Sequence, residues 1–263
     1  MPVPPPPSPE PDVVARLRAA GCVFAEDEAR LLVAAAQTPA ELTAMVDQRV
    51  AGLPLEQILG WAEFCGLRIV VEPGVFVPRR RTELLVRQAA ALARPGAVVV
   101  DLCCGSGAVG AALAAAVTGM ELYAVDIDPA AVRCARRNVV GGGQVYEGDL
   151  YEPLPAALRG RVDVLAVNAP YVPTDAVALM PPEARLHEAR VALDGGPDGL
   201  DVQRRVAADA AAWLAPGGHL LIETSERQAA RTVEIFTRNG LTPRVVRSED
   251  LDATVVVGAR PGA

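Results

Sequence analysis

Between Thr82 and Val257, short β-branched runs take turns with Ala-rich segments of helical periodicity, and this alternation limits the fold more than any other feature. Residues 98–102, 121–125, 144–146, 162–167 and 219–222 are predicted strands. Residues 83–94, 109–117, 129–138, 200–214 and 228–239 are predicted helices. Strands joined through crossover helices share a parallel sheet, so the segment predicts a doubly wound, mostly parallel α/β fold. Residues 242–246 and 254–257 have no helix between them and predict an antiparallel hairpin at a sheet edge. That makes seven strands.

The first part of the chain has a different texture. Pro2 to Pro11 holds seven prolines, so residues 1–11 are expected to be an extended tail. Over residues 12–51, Val13, Val14 and Leu17 recur at helical spacing, as do Leu31, Leu32 and Ala35. Thr38, Pro39 and Glu41 read as a cap, a first-turn proline and a helix start. A small helical domain is predicted there, too small for a strong core of its own. Residues 52–78 predict a linker and a β-hairpin, with one strand at 64–71, a turn at Glu72–Pro73–Gly74 and a return over 75–77. The larger domain fills 79–263.

Composition excludes several functions. The net charge of −7 argues against a surface devoted to nucleic acid, and no stable nucleic-acid partner is expected. Every basic residue counted is Arg, so neither a lysine Schiff base nor a phosphate-loop lysine is available. Five cysteines, odd in number and without a C-x-x-C pair, argue against a disulfide framework or a metal site. They fit a reducing compartment. No uncharged apolar run of membrane-spanning length occurs. A soluble cytoplasmic protein is expected, with no membrane partner.

The chemistry gathers at the predicted strand ends. The first strand of the sheet runs into Cys103–Cys104–Gly105–Ser106–Gly107, small residues that let the backbone approach a ligand. Gly105, Gly107 and Gly110 satisfy G-x-G-x-x-G, which fits a dinucleotide or another nucleotide-like ligand and, alone, a mere tight turn. The second strand ends in Asp126, placed to accept from ribose hydroxyls, with Ile127 beside it to pack on an adenine face. Gly148–Asp149–Leu150 follows the third strand as an acidic-apolar pair suited to the adenine edge. The fourth strand ends in Asn168–Ala169–Pro170–Tyr171. The Asn168 amide oxygen and the Ala169 carbonyl can hold an NH₂ group by its hydrogens and leave its nitrogen lone pair facing a reactive centre. The alternatives are a strand-end cap for Asn168 and plain packing for Tyr171.

With these residues in view, the sequence resembles the Class I S-adenosylmethionine-dependent methyltransferases. More narrowly, it resembles the HemK/PrmC family, the protein-(glutamine-N5) methyltransferases of peptide-chain release factors. The family's N-P-P-Y motif stands here as N-A-P-Y. Gly52 to Gly60 resembles the family's linker, Phe64 to Leu67 its F-x-G-L stretch, and Phe76 to Glu83 its I-P-R-P-x-T-E box. Asp194 to Leu200 and Pro216–Gly217–Gly218 also match. Three residues depart from the pattern: Cys103 stands for a glycine, Arg80 for a proline and Ala169 for a proline.

The resemblance implies S-adenosyl-L-methionine as cofactor, held by Cys103 to Gly107, Asp126, Ile127, Asp149, Leu150 and Asn168. It implies Asn168, Ala169, Pro170 and Tyr171 as the catalytic turn, no metal, and a release-factor glutamine as acceptor. The alternative acceptor is an exocyclic amine of a nucleic-acid base, as in N6-adenine methyltransferases, which share the motif and need a flipped base and a basic groove. A non-catalytic binding protein on the same fold is the third reading. Arg79–Arg80–Arg81 reads as a contact for an acidic partner or RNA, or as a solvated run. His187 is a candidate to face substrate, and Glu188 a candidate site acid. Glu223 reads as a supporting acid, and His219 as structural.

Overall fold

The computed structural model describes residues 11–262. The tail expected over 1–11 therefore falls outside it, apart from Pro11, which opens the first helix.

Helices α1 (Pro11–Ala19), α2 (Ala25–Ala35) and α3 (Pro39–Val50) pack around Leu17, Leu32 and Val46, all fully buried. Thr38 Oγ1 caps α3 by accepting from the Glu41 amide at 3.1 Å, with Pro39 in the first turn. Helix α4 (Leu55–Leu59) adds Leu55, Ile58 and Leu59 to the same core.

A two-stranded antiparallel hairpin follows, β1 (Trp61–Phe64) and β2 (Leu67–Val70). It lies earlier than the hairpin predicted from the sequence. The chain reverses at Cys65–Gly66, both at positive φ (51° and 74°), and Phe64 ends a strand rather than starting one. Glu72–Pro73–Gly74 is a turn without a returning strand. Gly74 makes one bridge to Glu188 instead, and Val75 and Val77 are buried in two small apolar clusters.

The sheet has seven strands in the order β5-β4-β3-β6-β7-β9-β8. These are β3 (Val98–Leu102), β4 (Glu121–Asp126), β5 (Gln144–Glu147), β6 (Val162–Val167), β7 (Leu214–Thr224), β8 (Thr242–Ser248) and β9 (Ala253–Ala259). β9 runs opposite to the other six strands, which bears out the expected doubly wound sheet with its C-terminal hairpin. Helices α5 (Glu83–Leu92), α6 (Ala108–Ala116), α7 (Pro129–Asn138), α9 (Asp201–Trp213) and α10 (Ala229–Arg238) cover its faces. Alternation along β3 divides the core. Val99 joins a layer with Leu85 and Leu113, whereas Val98 and Val100 join one with Trp213 and Phe236.

Strand β7 begins at Leu214, five residues before the predicted start, and runs through Pro216–Gly217 with a register shift beside β6. Helix α8 (Pro182–His187), a short element, was not legible in the sequence. Strands β4 and β6 leave β3 on opposite sides, so a crevice opens at the C-terminal ends where the winding reverses.

Candidate functional site

That crevice is a cleft of about 420 Å³. The turn from β3 into α6 forms one wall, and three of its residues sit in the left-handed region: Cys103 (φ 57°), Gly105 (54°) and Gly107 (76°). Gly107 is also held by close packing, since a Cβ there would lie 3.0 Å from Val139 and 3.1 Å from Ala135. Cys103 takes the same strained backbone with a side chain. Burial, with Asp126 and Asp101 nearby, pushes the Cys103 thiol far above its ordinary pKa, and burial does the same to Cys104. Both are neutral thiols that pack on the core, Cys104 within one layer and Cys103 against the other.

The Asp126 carboxylate ends β4. Its Oδ2 accepts from the Gly105 amide at 2.8 Å and its Oδ1 from the Asp128 amide at 2.9 Å. Each oxygen keeps a further lone pair for a ligand hydroxyl. Burial raises its pKa against those amides. Ile127 follows it on the cleft wall and is half exposed. Asp149 lies across the mouth in an ion pair with Arg205 at 2.6 Å, and Leu150 beside it has φ 49°.

Sequence reasoning passed over Asp101. It lines the cleft, is almost fully buried, and its Oδ2 accepts from the Gly110 amide at 2.8 Å. Burial pushes its pKa up to about 7 against that bond, with Asp126 adding to the rise. The available signal was an acid in the otherwise apolar strand Val98–Leu102.

Asn168, Ala169, Pro170 and Tyr171 form the opposite wall. The loop Asp194 to Gly199 clamps this turn. The Val172 amide donates to the Leu193 carbonyl, and the Gly195 amide donates to the Val172 carbonyl. A Cβ on Gly195 would meet the Pro170 carbonyl at 2.6 Å, and one on Gly199 the Tyr171 carbonyl at 2.2 Å. Gln228 Nε2 adds a hydrogen bond to the Tyr171 carbonyl at 2.9 Å. Asn168 Nδ2 points to Thr82 Oγ1 at 3.4 Å. Its Oδ1 and the Ala169 carbonyl receive no hydrogen bond among the described residues. The turn thus offers two adjacent acceptors on the cleft wall. Burial, reinforced by Glu223, pushes the Tyr171 phenol up to about 12, so it stays neutral.

The arginine run does not act as one group. Arg79 pairs with the buried Glu188 at 2.6 Å, Arg81 Nε lies 3.7 Å from Glu223, and Arg80 is exposed. Glu188 also accepts from the Val77 amide at 3.1 Å, so it braces the approach to α5. His187 is absent from the cleft lining; Gln57 binds its carbonyl, and its Nε2 is buried without a partner among the described residues. His219 sits within β7, between Val164 and Ala259, where burial and then Arg244 lower its pKa. Phe64, Phe76 and Thr82, members of the matched motifs to which the sequence assigned no site role, also line the cleft. Among the described residues no cluster of three or more His, Cys, Asp or Glu could hold a metal, and no helix is long and apolar enough to cross a membrane.

The sequence profile of the methyltransferase small domain matches residues 66–199. Release factor glutamine methyltransferase of Geobacter sulfurreducens is 38% identical over 230 residues, which cover 85% of this chain and 80% of that protein. The protein of the same name from Mycolicibacterium smegmatis is 40% identical over 231 residues, 86% of this chain and 82% of that one. A 4-amino-L-phenylalanine/4-methylamino-L-phenylalanine methyltransferase of Streptomyces pristinaespiralis is 38% identical over 203 residues, 74% and 69% of the two chains.

Proposed function

The chain belongs to the release factor glutamine methyltransferase family, built on the methyltransferase small domain, and from that premise we propose that it methylates the side-chain amide nitrogen of a glutamine in a peptide-chain release factor. The methyl donor is S-adenosyl-L-methionine, and the crevice fits it. Asp126 has lone pairs to spare for vicinal hydroxyls, Ile127 presents an apolar face, and beyond its chain neighbours no atom of the described residues lies within 4 Å of where a Gly105 Cβ would stand. When bound, the donor supplies an electrophilic methyl group on a sulfonium sulfur.

The observation that carries the reading is the pair of unclaimed acceptors, Asn168 Oδ1 and the Ala169 carbonyl. An amide nitrogen is a weak nucleophile, so the demand on the protein is placement, worth about 7–11 kcal/mol when ideal. The two acceptors take the two N–H hydrogens of the glutamine amide and fix its plane. They also stabilise the positive charge that grows on those hydrogens as nitrogen takes the methyl group and the carbon–sulfur bond breaks; one N–H proton is lost after the attack. The neutral Tyr171 ring walls the slot. The α1–α3 lobe recognises the protein substrate. It is tied to the cleft mouth by Arg49 Nη1, 2.6 Å from Glu183 in α8.

A second acceptor class has support of its own. The Streptomyces relative is named for an aromatic amine, and the small Ala169 leaves the backbone carbonyl while removing the ring of a proline. Incubating the full chain with methyl-labelled donor and purified release factors, free 4-amino-L-phenylalanine or DNA separates the readings. Mass spectrometry should find one methyl on one glutamine. Label on the small amine or the base, and none on protein, would overturn the assignment.

A further inference from the structure

We propose that a second, acid-lined cavity behind Tyr171 receives a positively charged side chain of the protein substrate, one or two residues from the acceptor glutamine. This rests on the reading of the chain as a methyltransferase of a release-factor glutamine. The cavity holds about 420 Å³. It opens on the same edge of the sheet as the crevice, one strand further along, where β7 ends and β8 turns into β9. Tyr171 and Arg81 line both spaces, so one wall of the crevice is also a wall of the second cavity.

Glu223 points to a missing partner. It lines this cavity and not the crevice, and its side chain is only 3% exposed. Its Oε2 is buried with no hydrogen-bond partner among the described residues. Its Oε1 has Arg81 Nε at 3.7 Å, beyond the length of a hydrogen bond. A carboxyl buried with incomplete pairing costs stability, and burial raises its pKa. A neutral side chain of the same length would fill the space without that cost. A cation brought into the cavity supplies the partner and favours the ionised carboxylate.

The surrounding charges select the class of ligand. Carboxylates of Glu223, Glu226, Glu249 and Asp252 line the cavity against the two guanidinium groups of Arg81 and Arg247. Arg247 lies 3.5 Å from Glu226, and Arg81 is set against Glu223. Glu249 and Asp252 are exposed and have no ion pair among the described residues. An acidic side chain would be repelled there, and an apolar one would leave Oε2 unpaired. A guanidinium or ammonium group is drawn in by the rim and can donate to the buried carboxylate. The acids are too spread for a metal ion, since no three of them among the described residues are placed to hold one. A long cationic side chain suits that spread. In an extended substrate each residue advances about 3.3–3.6 Å, so a neighbour of the glutamine can pass to the far side of the Tyr171 ring.

The test has two arms, both on the full chain. In the first, acetyl-L-arginine amide and its uncharged isostere acetyl-L-citrulline amide are titrated against the protein by NMR. The arginine compound should bind about tenfold more tightly, the scale of one hydrogen bond to a charged group, and Glu223→Gln should remove that preference. Equal binding of the two compounds, or a preference unchanged in Glu223→Gln, overturns the proposal. In the second arm, mass spectrometry locates the methylated glutamine of a purified release factor, and Arg, Ala or Glu is placed in turn at each position within two residues of it. At one of these positions Arg should lower KM about tenfold against Ala, and Glu should raise it, with kcat changing less. Glu223→Gln should erase the difference. A KM indifferent to charge at every position overturns the proposal. If no release factor is methylated, the glutamine reading has failed, and the first arm still decides whether the cavity takes a cation. Glu223→Gln removes a buried charge and should melt no earlier than the parent. If it melts early, the exposed pair Glu249→Gln and Asp252→Asn decides in its place, and an arginine preference undiminished in that double variant overturns the proposal.

Discussion

The Asp126 carboxylate holds the Gly105 amide at 2.8 Å, so the end of β4 is fastened to the turn after β3 across two neighbouring strands. The same group therefore shapes the crevice and offers its remaining lone pairs to a ligand. Asp126→Ala removes both. A hydrogen bond to a charged group is worth about 1.5–3 kcal/mol, so donor affinity should fall by roughly 10- to 150-fold. Asp126→Asn keeps one acceptor oxygen and should fall between. Titration calorimetry on folded variants checks this, and unchanged affinity would remove Asp126 from the site.

Asp101 gives the fold a pH dependence of definite sign. Its folded pKa is about 7, against an ordinary 3.8. Below 3.8 both the folded and the unfolded chain hold the proton. Between the two values the folded chain still holds it and the unfolded chain has lost it, so stability falls as pH rises; above about 7 the loss is complete. Asp101→Asn keeps an oxygen for the Gly110 amide and cannot ionise. Its melting temperature should exceed that of the parent by more at pH 8 than at pH 5. A constant difference across that range would show that Asp101 does not titrate in it.

Cys103 carries a side chain at φ 57°, a conformation that costs a non-glycine residue about 1–2 kcal/mol. Cys103→Gly removes the strain and loses some packing and chain entropy, so its stability should change by less than about 1 kcal/mol. Donor binding should survive. Cys103→Val places a branched Cβ in the same conformation and should lose stability and donor affinity together. Thermal melts with and without donor distinguish the two. Equal behaviour would mean that the backbone there is unconstrained.

The strands were legible in the sequence because each central one is a run of apolar residues buried on both faces, and β3, buried throughout, is the clearest case. The hairpin was misplaced because Cys65–Gly66 turns the chain with no proline to mark it, whereas the strong signal at Glu72–Pro73–Gly74 leads to a single bridge. Residues lying directly at strand ends, such as Asp126 and Asn168, could be found from strand position alone. Thr82 and Glu188 could not. Thr82 comes before α5 and meets Asn168 over 86 residues, and Glu188 meets Arg79 over 109. The loop Asp194 to Gly199 looked like a family signature, and its reason is steric, since the N-A-P-Y turn passes where side chains would be.

Arg49 is the polar centre of the helical lobe. Its Nε donates to Glu28 at 2.6 Å and its Nη1 to the Leu53 carbonyl at 3.1 Å, with little of either side chain exposed. Removing one partner of a buried pair leaves an uncompensated charge, at about 3–5 kcal/mol. Arg49→Met should destabilise the lobe by that order in denaturant unfolding. Adding Glu28→Gln should restore part of the loss. Donor affinity should change little, because Arg49 is outside the crevice lining and reaches it only through Glu183. A fall in donor affinity equal to the fall in lobe stability would show the two parts to be one cooperative unit.

Asn168 and Ala169 make the sharpest pair of variants. Asn168→Ala removes the side-chain acceptor while Asp126 and the β3–α6 turn remain. Losing one preorganised transition-state hydrogen bond lowers turnover by about 10²–10³, so kcat should collapse with at most a small change in donor affinity. Asn168→Asp still accepts but brings a charge that must be desolvated when substrate closes the slot, and it should also be impaired. Ala169→Pro tests the backbone half of the clamp. The Ala169 amide makes no hydrogen bond among the described residues, so a proline forfeits none. Its carbonyl survives, and the stiffer turn needs less ordering on binding, so activity on a glutamine substrate should hold or rise. Ala169 is 1% exposed, so the ring must find room among its neighbours, and a melting curve must accompany the rates. A folded Ala169→Pro that loses glutamine methylation and keeps activity on an aromatic amine would mean that this turn is shaped for the amine. A folded variant active on glutamine alone would place the acceptor choice in the rigidity of this single residue.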